Sequence, residues 1–333
     1  MEKRALITGI TGQDGSYLAE LLLRKGYEVF GLARRLSVPN FNNITAIRDR
    51  ITILEGDLAD GPSLHRAVVE SSPTEVYNLA AQSFVHTSFR QPIVTADLTG
   101  VAVFRLLETV RSHAPHARFY QASSSEMFGK VKADPQNEET PFHPRSPYGV
   151  AKVMGYYAAV NYRESYGLHA SNGILFNHES PRRGAEFVTR KISLGVARIA
   201  AGLQKDLVMG NLDAVRDWGY APEYMEGVWS MLQQKEPGDY VQATGVSYSV
   251  RDFLRFAFQA AGIDDWEQHV RVDPKFERPA EVVLLRGDAS KAKAKFGWKA
   301  TTHAPELAKI MVRADMAALA ALEGRRDAAS IRT

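Results

Sequence analysis

The stretch Gly9-Ile10-Thr11-Gly12-Gln13-Asp14-Gly15 constrains this chain more than any other. It stands between an apolar run at 5–8 and an amphipathic segment that begins near residue 16. Gly9 permits a tight turn, Gly12 lets backbone approach a pyrophosphate, and Gly15 allows a helix to pack closely on a strand. The N-terminus of that helix then turns its N–H groups toward phosphate. A glycine-rich turn without a ligand is the alternative, but strand, turn and helix stand here in the order that a dinucleotide site requires.

The rest of the first half repeats the same alternation. Apolar runs at 5–8, 28–32, 51–54, 75–81, 118–123 and 171–177 read as strands. Leu18, Leu21 and Leu22 share one face of a helix over 16–25 that Gly26 ends. Buried apolar strands separated by helices predict an α/β fold with a doubly wound parallel sheet of Rossmann type. After residue 177 the alternation gives way to loops with short elements at 207–209, 240–243 and 270–272, and helices over 249–261 and 304–322. The expected organisation is a dinucleotide-binding unit over 1–177, to which later segments return. A smaller mixed α/β lobe for substrate follows over 178–323, and a charged tail over 324–333 that frays.

Composition narrows the function classes. With 333 residues and a net charge of +3, the chain is mildly basic, at a pI near 8.9. It lacks the Lys/Arg blocks that bind nucleic acid and any apolar run approaching a membrane span. Zero cysteines exclude disulfides and thiolate metal sites and fit a reducing compartment. The N-terminus enters the first strand without a signal region. A cytoplasmic protein with no metal site is expected.

Candidate chemistry follows the strand ends. Tyr148 and Lys152, four apart, share a helix face, where the ammonium stabilises a phenolate and makes the tyrosine a base near neutral pH. Ser124 and Glu126 end the fifth strand at the carboxyl edge of the sheet. Hydride transfer alone needs Ser, Tyr and Lys, so Glu126 suggests a second proton transfer, such as removal of a proton alpha to a newly formed ketone. A structural Glu126, satisfied by backbone, is the alternative. At the end of the second strand an NAD site would carry Asp or Glu, whereas this chain has Ala33-Arg34-Arg35-Leu36-Ser37. Guanidinium forks match a 2′-phosphate and favour NADP. Asp57 and Leu58 follow the third strand, where an adenine is held. Leu79-Ala80-Ala81-Gln82-Ser83 ends the fourth, where small residues let backbone pass the nicotinamide ribose.

Taken together, the fingerprint through Leu18, Asn78–Ser83, Ser123–Gly129, Pro144–Gly149 and Leu175–Gly184 resemble the GDP-mannose 4,6-dehydratases, extended short-chain dehydrogenases/reductases. Gly210–Asp213, Arg216–Tyr220 and Arg278–Val282 carry the similarity through the second half, over roughly 4–315. The Gln13-Asp14 and Asn177-His178-Glu179-Ser180 stretches separate it from generic sugar epimerases. The resemblance implies Ser124, Glu126 and Tyr148 as catalytic, with Lys152 supporting Tyr148. It implies NADP contacts from Gly9, Ile10, Thr11, Gly12, Gln13, Asp14, Arg34, Arg35, Leu36, Ser37, Asp57, Leu58, Leu79, Ala80, Ala81, Gln82, Ser83, Lys152, His178 and Arg183. Sugar-nucleotide contacts are implied for Ser88, Asn177, Lys191, Arg216, Arg278 and Glu281. The implied reaction is redox-neutral dehydration of GDP-mannose, in a homodimer or homotetramer.

Three positions depart from the family pattern: the loop Leu36–Asn43 in place of a Ser-rich stretch, Val94 for a Tyr, and Val283 for an Asp. The first bears on tetramer assembly, since in the family that stretch reaches a neighbouring subunit. All three leave open another GDP-sugar, such as a GDP-heptose, or tolerated drift with GDP-mannose retained; a sister epimerase or reductase on the same scaffold is a separate alternative. A non-catalytic NADP sensor has no need for Ser124, Glu126, Tyr148 and Lys152 together.

Overall fold

The structure is a computed structural model and describes residues 2–273, 275, 282 and 284–330. Seven parallel strands form the main sheet: β1 (Arg4–Thr8), β2 (Glu28–Ala33), β3 (Thr52–Glu55), β4 (Glu75–Asn78), β5 (Arg118–Ser124), β6 (Ala170–Leu175) and β10 (Asp239–Gln242). Their order is β10-β6-β5-β4-β1-β2-β3, so the direction of winding reverses between β1 and β4. Ligands of open α/β sheets bind in the crevice beyond the strand ends at such a reversal. The helices that cover the sheet are α1 (Gln13–Arg24), α2 (Gly61–Ser71), α5 (Ala102–His113), α6 (Pro147–Tyr166) and α8 (Ala221–Leu232). Short helices α3 (Val85–Arg90) and α4 (Pro92–Ala96) lead through a π-helical turn at Asp97–Val101 into α5.

Local chemistry fixes the helix that matters most. α6 begins where Ser146 Oγ accepts the Gly149 N–H and Pro147 takes the first helical position; it stops at Gly167, in the left-handed region at φ +69°. α1, by contrast, has Gly12 as its N-cap and no side-chain cap, which leaves its first N–H groups for a ligand. A Cβ on Gly15 would lie 2.3 Å from the Gly9 carbonyl oxygen, so helix and fingerprint turn touch backbone to backbone.

A second core is built from α7 (Val188–Ala200), α9 (Val250–Ala260) and α11 (Ala304–Ser330), around residues such as Ile192, Trp218, Phe253, Phe258 and Leu307. Two small sheets edge it: β7 (Asn177–Glu179) pairs parallel with β9 (Val215–Tyr220), which pairs antiparallel with β11 (Ser247–Ser249). β8 (Leu207–Met209) pairs parallel with β12 (Val270–Val272), and α10 (Ser290–Phe296) packs beside β10. No helix among the described residues is long and apolar enough to cross a membrane.

Several boundaries differ from the sequence expectation, each for a physical reason. The run at 75–81 leaves the sheet after Asn78, because the Leu79 and Ala80 N–H groups both donate to Thr8 Oγ1 at 3.1 Å. The run at 171–177 is two strands. Phe176 still donates to the Gln242 carbonyl at 2.9 Å, and Asn177 then begins β7 in another sheet. The segment at 240–243, expected among scattered second-half elements, joins β6 as the seventh strand. α7 and α8 fill stretches expected as loops; Ile192, Val196 and Ile199 supply the apolar face of α7. The last helix continues to Ser330 where a fraying tail was expected.

The two halves are fastened at the N-terminus of α1. His178 Nε2 lies 2.9 Å from Asp14 Oδ2, and Nδ1 lies 2.8 Å from the Phe176 carbonyl oxygen. Both partners are acceptors, so the protonated ring, which donates from both nitrogens, is the form this setting favours. Burial pushes the Asp14 carboxyl up, but the charge and hydrogen bond of His178, aided by Gln13 and Arg183, more than offset this and hold it at about 2. Burial likewise lowers His178, and Asp14 overrides it and raises the imidazole above its ordinary value. Gln13 Nε2 donates to the His178 carbonyl at 3.0 Å, and Ser180 Oγ donates to Gln13 Oε1 at 2.9 Å.

Gly15→Ala should cost about 1–3 kcal/mol of stability, because its methyl meets backbone that cannot yield; urea denaturation measures it, and a neutral substitution would contradict the packing. The ion pair gives a pH signature. Asp14, depressed when folded, contributes stability above about pH 4 that is lost as pH falls toward about 2. His178, raised when folded, contributes stability below about pH 6.5 that is lost as pH rises through its folded value. His178→Gln should therefore flatten the decline in urea midpoint above pH 6.5; parallel profiles for parent and variant would contradict the pairing.

Candidate active site

Strand ends at the winding reversal carry the candidate residues. Thr8 Oγ1 donates to Asn78 Oδ1 at 2.7 Å, and Asn78 Nδ2 donates to Gln121 Oε1 at 2.8 Å. This buried chain ties β1, β4 and β5 together just below the crevice. Above it lies a cavity of about 330 Å³ walled by Gly9, Thr11, Gly12, Gln13, Asp14, Leu79, Ala81, Ser83, Ser124, Glu126, Tyr148, Lys152, Asn177, His178 and Arg183, with a few neighbours. Uncapped N–H groups of α1 and a left-handed Gly9, at φ +72°, border it. A Cβ on Gly9 would come within 3.0 Å of Ala80 backbone, so only glycine lets the two strand ends approach this closely. Backbone donors beside a concave, glycine-lined turn fit the pyrophosphate of a dinucleotide.

The other sequence-designated cofactor residues stand outside this wall. Ile10 is wholly buried beneath the turn, in contact with Gly31. Ala80 shapes the crevice through its backbone, and Gln82 N donates to Thr99 Oγ1 at 3.2 Å. Arg34, Arg35, Leu36 and Ser37 are exposed on the loop after β2. Asp57 Oδ1 accepts the Ala59 N–H at 2.9 Å, and the Leu58 carbonyl accepts from Arg105 at 3.4 Å. Sequence reasoning missed Asn43, whose Nδ2 donates to the Thr11 carbonyl at 3.0 Å and draws the loop after β2 against the fingerprint.

A second cavity of about 610 Å³ opens beside the first. Ser83, Ser124, Glu126, Tyr148, Asn177 and Arg183 belong to both walls. Lys191, Arg216 and Lys275 supply positive charge, while Phe187, Met209, Trp218 and Val250 supply apolar surface. Burial, then the charge of Lys275, pushes the Lys191 ammonium down. Arg216 Nη1 donates to the Val215 carbonyl at 2.9 Å. Such a wall suits a planar ring joined to a diphosphate. Phe187, Met209 and Trp218 were not among the expected site residues, since apolar residues there are indistinguishable from core. Of the sugar-nucleotide residues named there, Ser88 is buried in α3, donates to the Val85 carbonyl at 2.6 Å, and lies in neither wall. Arg278, Glu281 and Val283 lie outside the described residues. Val94 is half exposed on α4, away from both cavities.

At the shared wall the geometry corrects one expectation. Glu126 follows β5 in a short 3-10 turn, Ser125–Met127, whose N–H groups begin at Ser124 Oγ: that oxygen accepts the Glu126 N–H at 3.2 Å. Lys152 Nζ donates to the Ala122 carbonyl at 2.7 Å and stands 5.7 Å from the Tyr148 ring centre. Burial pushes Tyr148 up to about 12, although a hydrogen bond from Ser124 favours its phenolate; nearby Glu126 opposes that. Burial pushes Lys152 down to about 8. The helical Tyr–Lys pair by itself therefore does not bring Tyr148 near neutrality, because both groups lose water together.

Comparison with known proteins follows this geometry closely. Residues 6–311 match the family GDP-mannose 4,6 dehydratase. GDP-mannose 4,6-dehydratase of Vibrio cholerae is 49% identical over 95% of this chain and 94% of its own. GDP-mannose 4,6 dehydratase 1 of Arabidopsis thaliana is 52% identical over 94% of this chain and 90% of its own. Among solved structures, Thermus thermophilus UDP-glucose 4-epimerase in complex with NAD superposes with a TM-score of 0.83 at 26% identity, over 94% of this chain and 98% of its own. The match to the family spans the fingerprint, both cavities and most of the second core, and on that ground this chain belongs to the GDP-mannose 4,6-dehydratase family.

Proposed function

We propose that this chain removes water from GDP-mannose to give GDP-4-keto-6-deoxymannose, through internal, redox-neutral hydride transfer. The observation that carries the reading is the wall common to two cavities, where Ser124, Glu126 and Tyr148 meet a dinucleotide cavity on one side and a cationic cavity on the other. A nicotinamide dinucleotide held in the first cavity would supply the acceptor for hydride from C4 and the donor to C6. Tyr148 takes the C4 hydroxyl proton, with Ser124 hydrogen-bonded to it. Oxidation at C4 acidifies C5, and Glu126 removes that proton. Ser124 and Glu126 then hydrogen-bond or protonate the hydroxyl leaving C6 as water, and as hydride reaches C6 the remaining proton is returned to C5, so that Tyr148 and Glu126 end the cycle as they began it. Lys152 holds the adjoining face of α6 against β5.

NADP is the proposed cofactor, since Arg34 and Arg35 follow β2 where an NAD site carries an acid. Arg216 and Lys191 are proposed for the diphosphate, and Asn177 for the sugar side. The unit over 1–177, with β10 and α8 returned to it, is read as the dinucleotide part, 178–323 as mainly the sugar-nucleotide part, and 324–333 as tail. Val150, Met154 and Tyr157, exposed at successive turns of α6, with Ile93 and Val94 of α4 beside them, support a dimer between copies of this chain. The absence of cysteine supports a cytoplasmic setting.

Mass spectrometry of nucleotide sugars incubated with the protein tests the reaction: GDP-mannose should lose one water without net consumption of NADPH. Net NADPH oxidation, or an epimer of unchanged mass, would overturn it. Glu126→Gln should still oxidise C4 yet lower turnover roughly 10²–10⁴-fold; normal C5 deuterium exchange in that variant contradicts the assignment. Replacing Arg34 and Arg35 with Ala should weaken NADP by about 1.5–3 kcal/mol per lost charge-assisted bond, and NAD far less. Equal losses in a binding titration assign the arginines elsewhere.

A further inference from the structure

α1 faces two ways. Its first turn walls the dinucleotide cavity through Gln13 and Asp14. Its next turn grips Arg182: Nη1 donates to Ser16 Oγ at 3.1 Å, Nη2 donates to Glu20 at 2.6 Å, and the guanidinium lies 4.1 Å over the Tyr17 ring. Arg182 is in neither cavity wall. The side chains of Arg182 and Glu20 are 25% and 22% exposed, so water screens the pair only in part. Arg182 N donates to Ser180 Oγ at 3.0 Å, and that hydroxyl donates in turn to Gln13. The residue after it, Arg183, lines both cavities, sits 3.1 Å from Glu179 and stacks 3.6 Å over Phe187 of the second cavity.

The loop that presents Arg183 thus hangs from the same helix whose first turn receives the dinucleotide. We propose that Arg182 is a positioning residue that couples the two cavities: its grip on Ser16, Tyr17 and Glu20 transmits dinucleotide occupancy at the start of α1 to the placement of Arg183. The inference rests on the dehydratase reading for the identity of the two ligands. Without the grip, each cavity keeps its own wall residues, but filling one no longer prepares the other. A side chain that only stabilised the fold would change melting temperature and leave ligand coupling intact.

Calorimetric titration of GDP into the full chain, with and without saturating NADPH, reads this coupling. In the parent the two GDP affinities should differ by about fivefold or more. Arg182→Ala and Glu20→Gln should bring the ratio toward one and raise KM for GDP-mannose more than they lower kcat, whereas Arg182→Lys, which keeps the cation, should retain most of the ratio. Glu20→Gln removes a single charge and still reports if Arg182→Ala does not fold. A parental ratio in folded Glu20→Gln and Arg182→Ala, or no difference in the parent, overturns the proposal. A parent that binds neither NADPH nor GDP overturns the dehydratase reading itself and this inference with it.

Discussion

The partly buried Asp14–His178 ion pair is the contact on which the rest of the site depends. It closes a distance of 164 residues and joins the helix that opens the fingerprint to the strand that leaves the main sheet. Through it the His178 ring is held between a carboxylate and a carbonyl, stacked at 4.7 Å on Tyr224. Breaking such a pair is costly because the surviving charge stays out of water. Gln13 adds neutral bonds on either side, so residues 178–180 have one orientation available.

Burial also sets the proton chemistry. The shared wall is dry enough to push a phenol up and an ammonium down, so the usual argument from a tyrosine and lysine four apart is incomplete. What remains is a Tyr148 held in its protonated form by burial, with Ser124 favouring its phenolate, poised for a nearby positive charge to tip it. A low-dielectric wall makes any such charge count for more than it would in water.

β9 shows how one strand serves two ends. Arg216 and Trp218, two apart, face the second cavity. Asp217 between them is fully buried and faces the other way. It accepts the N–H and hydroxyl of Thr244 at 2.9 and 2.7 Å and the Gly245 N–H at 2.9 Å. The same alternation that sends a cation toward the second cavity anchors the loop between β10 and β11. A motif that looks like a single run is thus half cavity wall and half scaffold.

The sequence alone determined the parallel sheet, the position of the fingerprint and the helix carrying Tyr148 and Lys152, because these follow from local periodicity, glycine spacing and capping. It also brought Ser124 and Glu126 to the right edge, since strand order and strand ends are set by the α/β pattern. It gave no individual role to Asn43, Arg182, Phe187 and Met209, and it misjudged the run at 171–177, the helices α7 and α8, and the reach of β10. Each of these depends on a partner distant in the chain: Gln242 on Phe176, Thr11 on Asn43, Glu20 on Arg182. Only the tertiary structure decided them, because a side chain's burial, charge state and hydrogen-bond partners are fixed by what packs against it rather than by its neighbours in sequence.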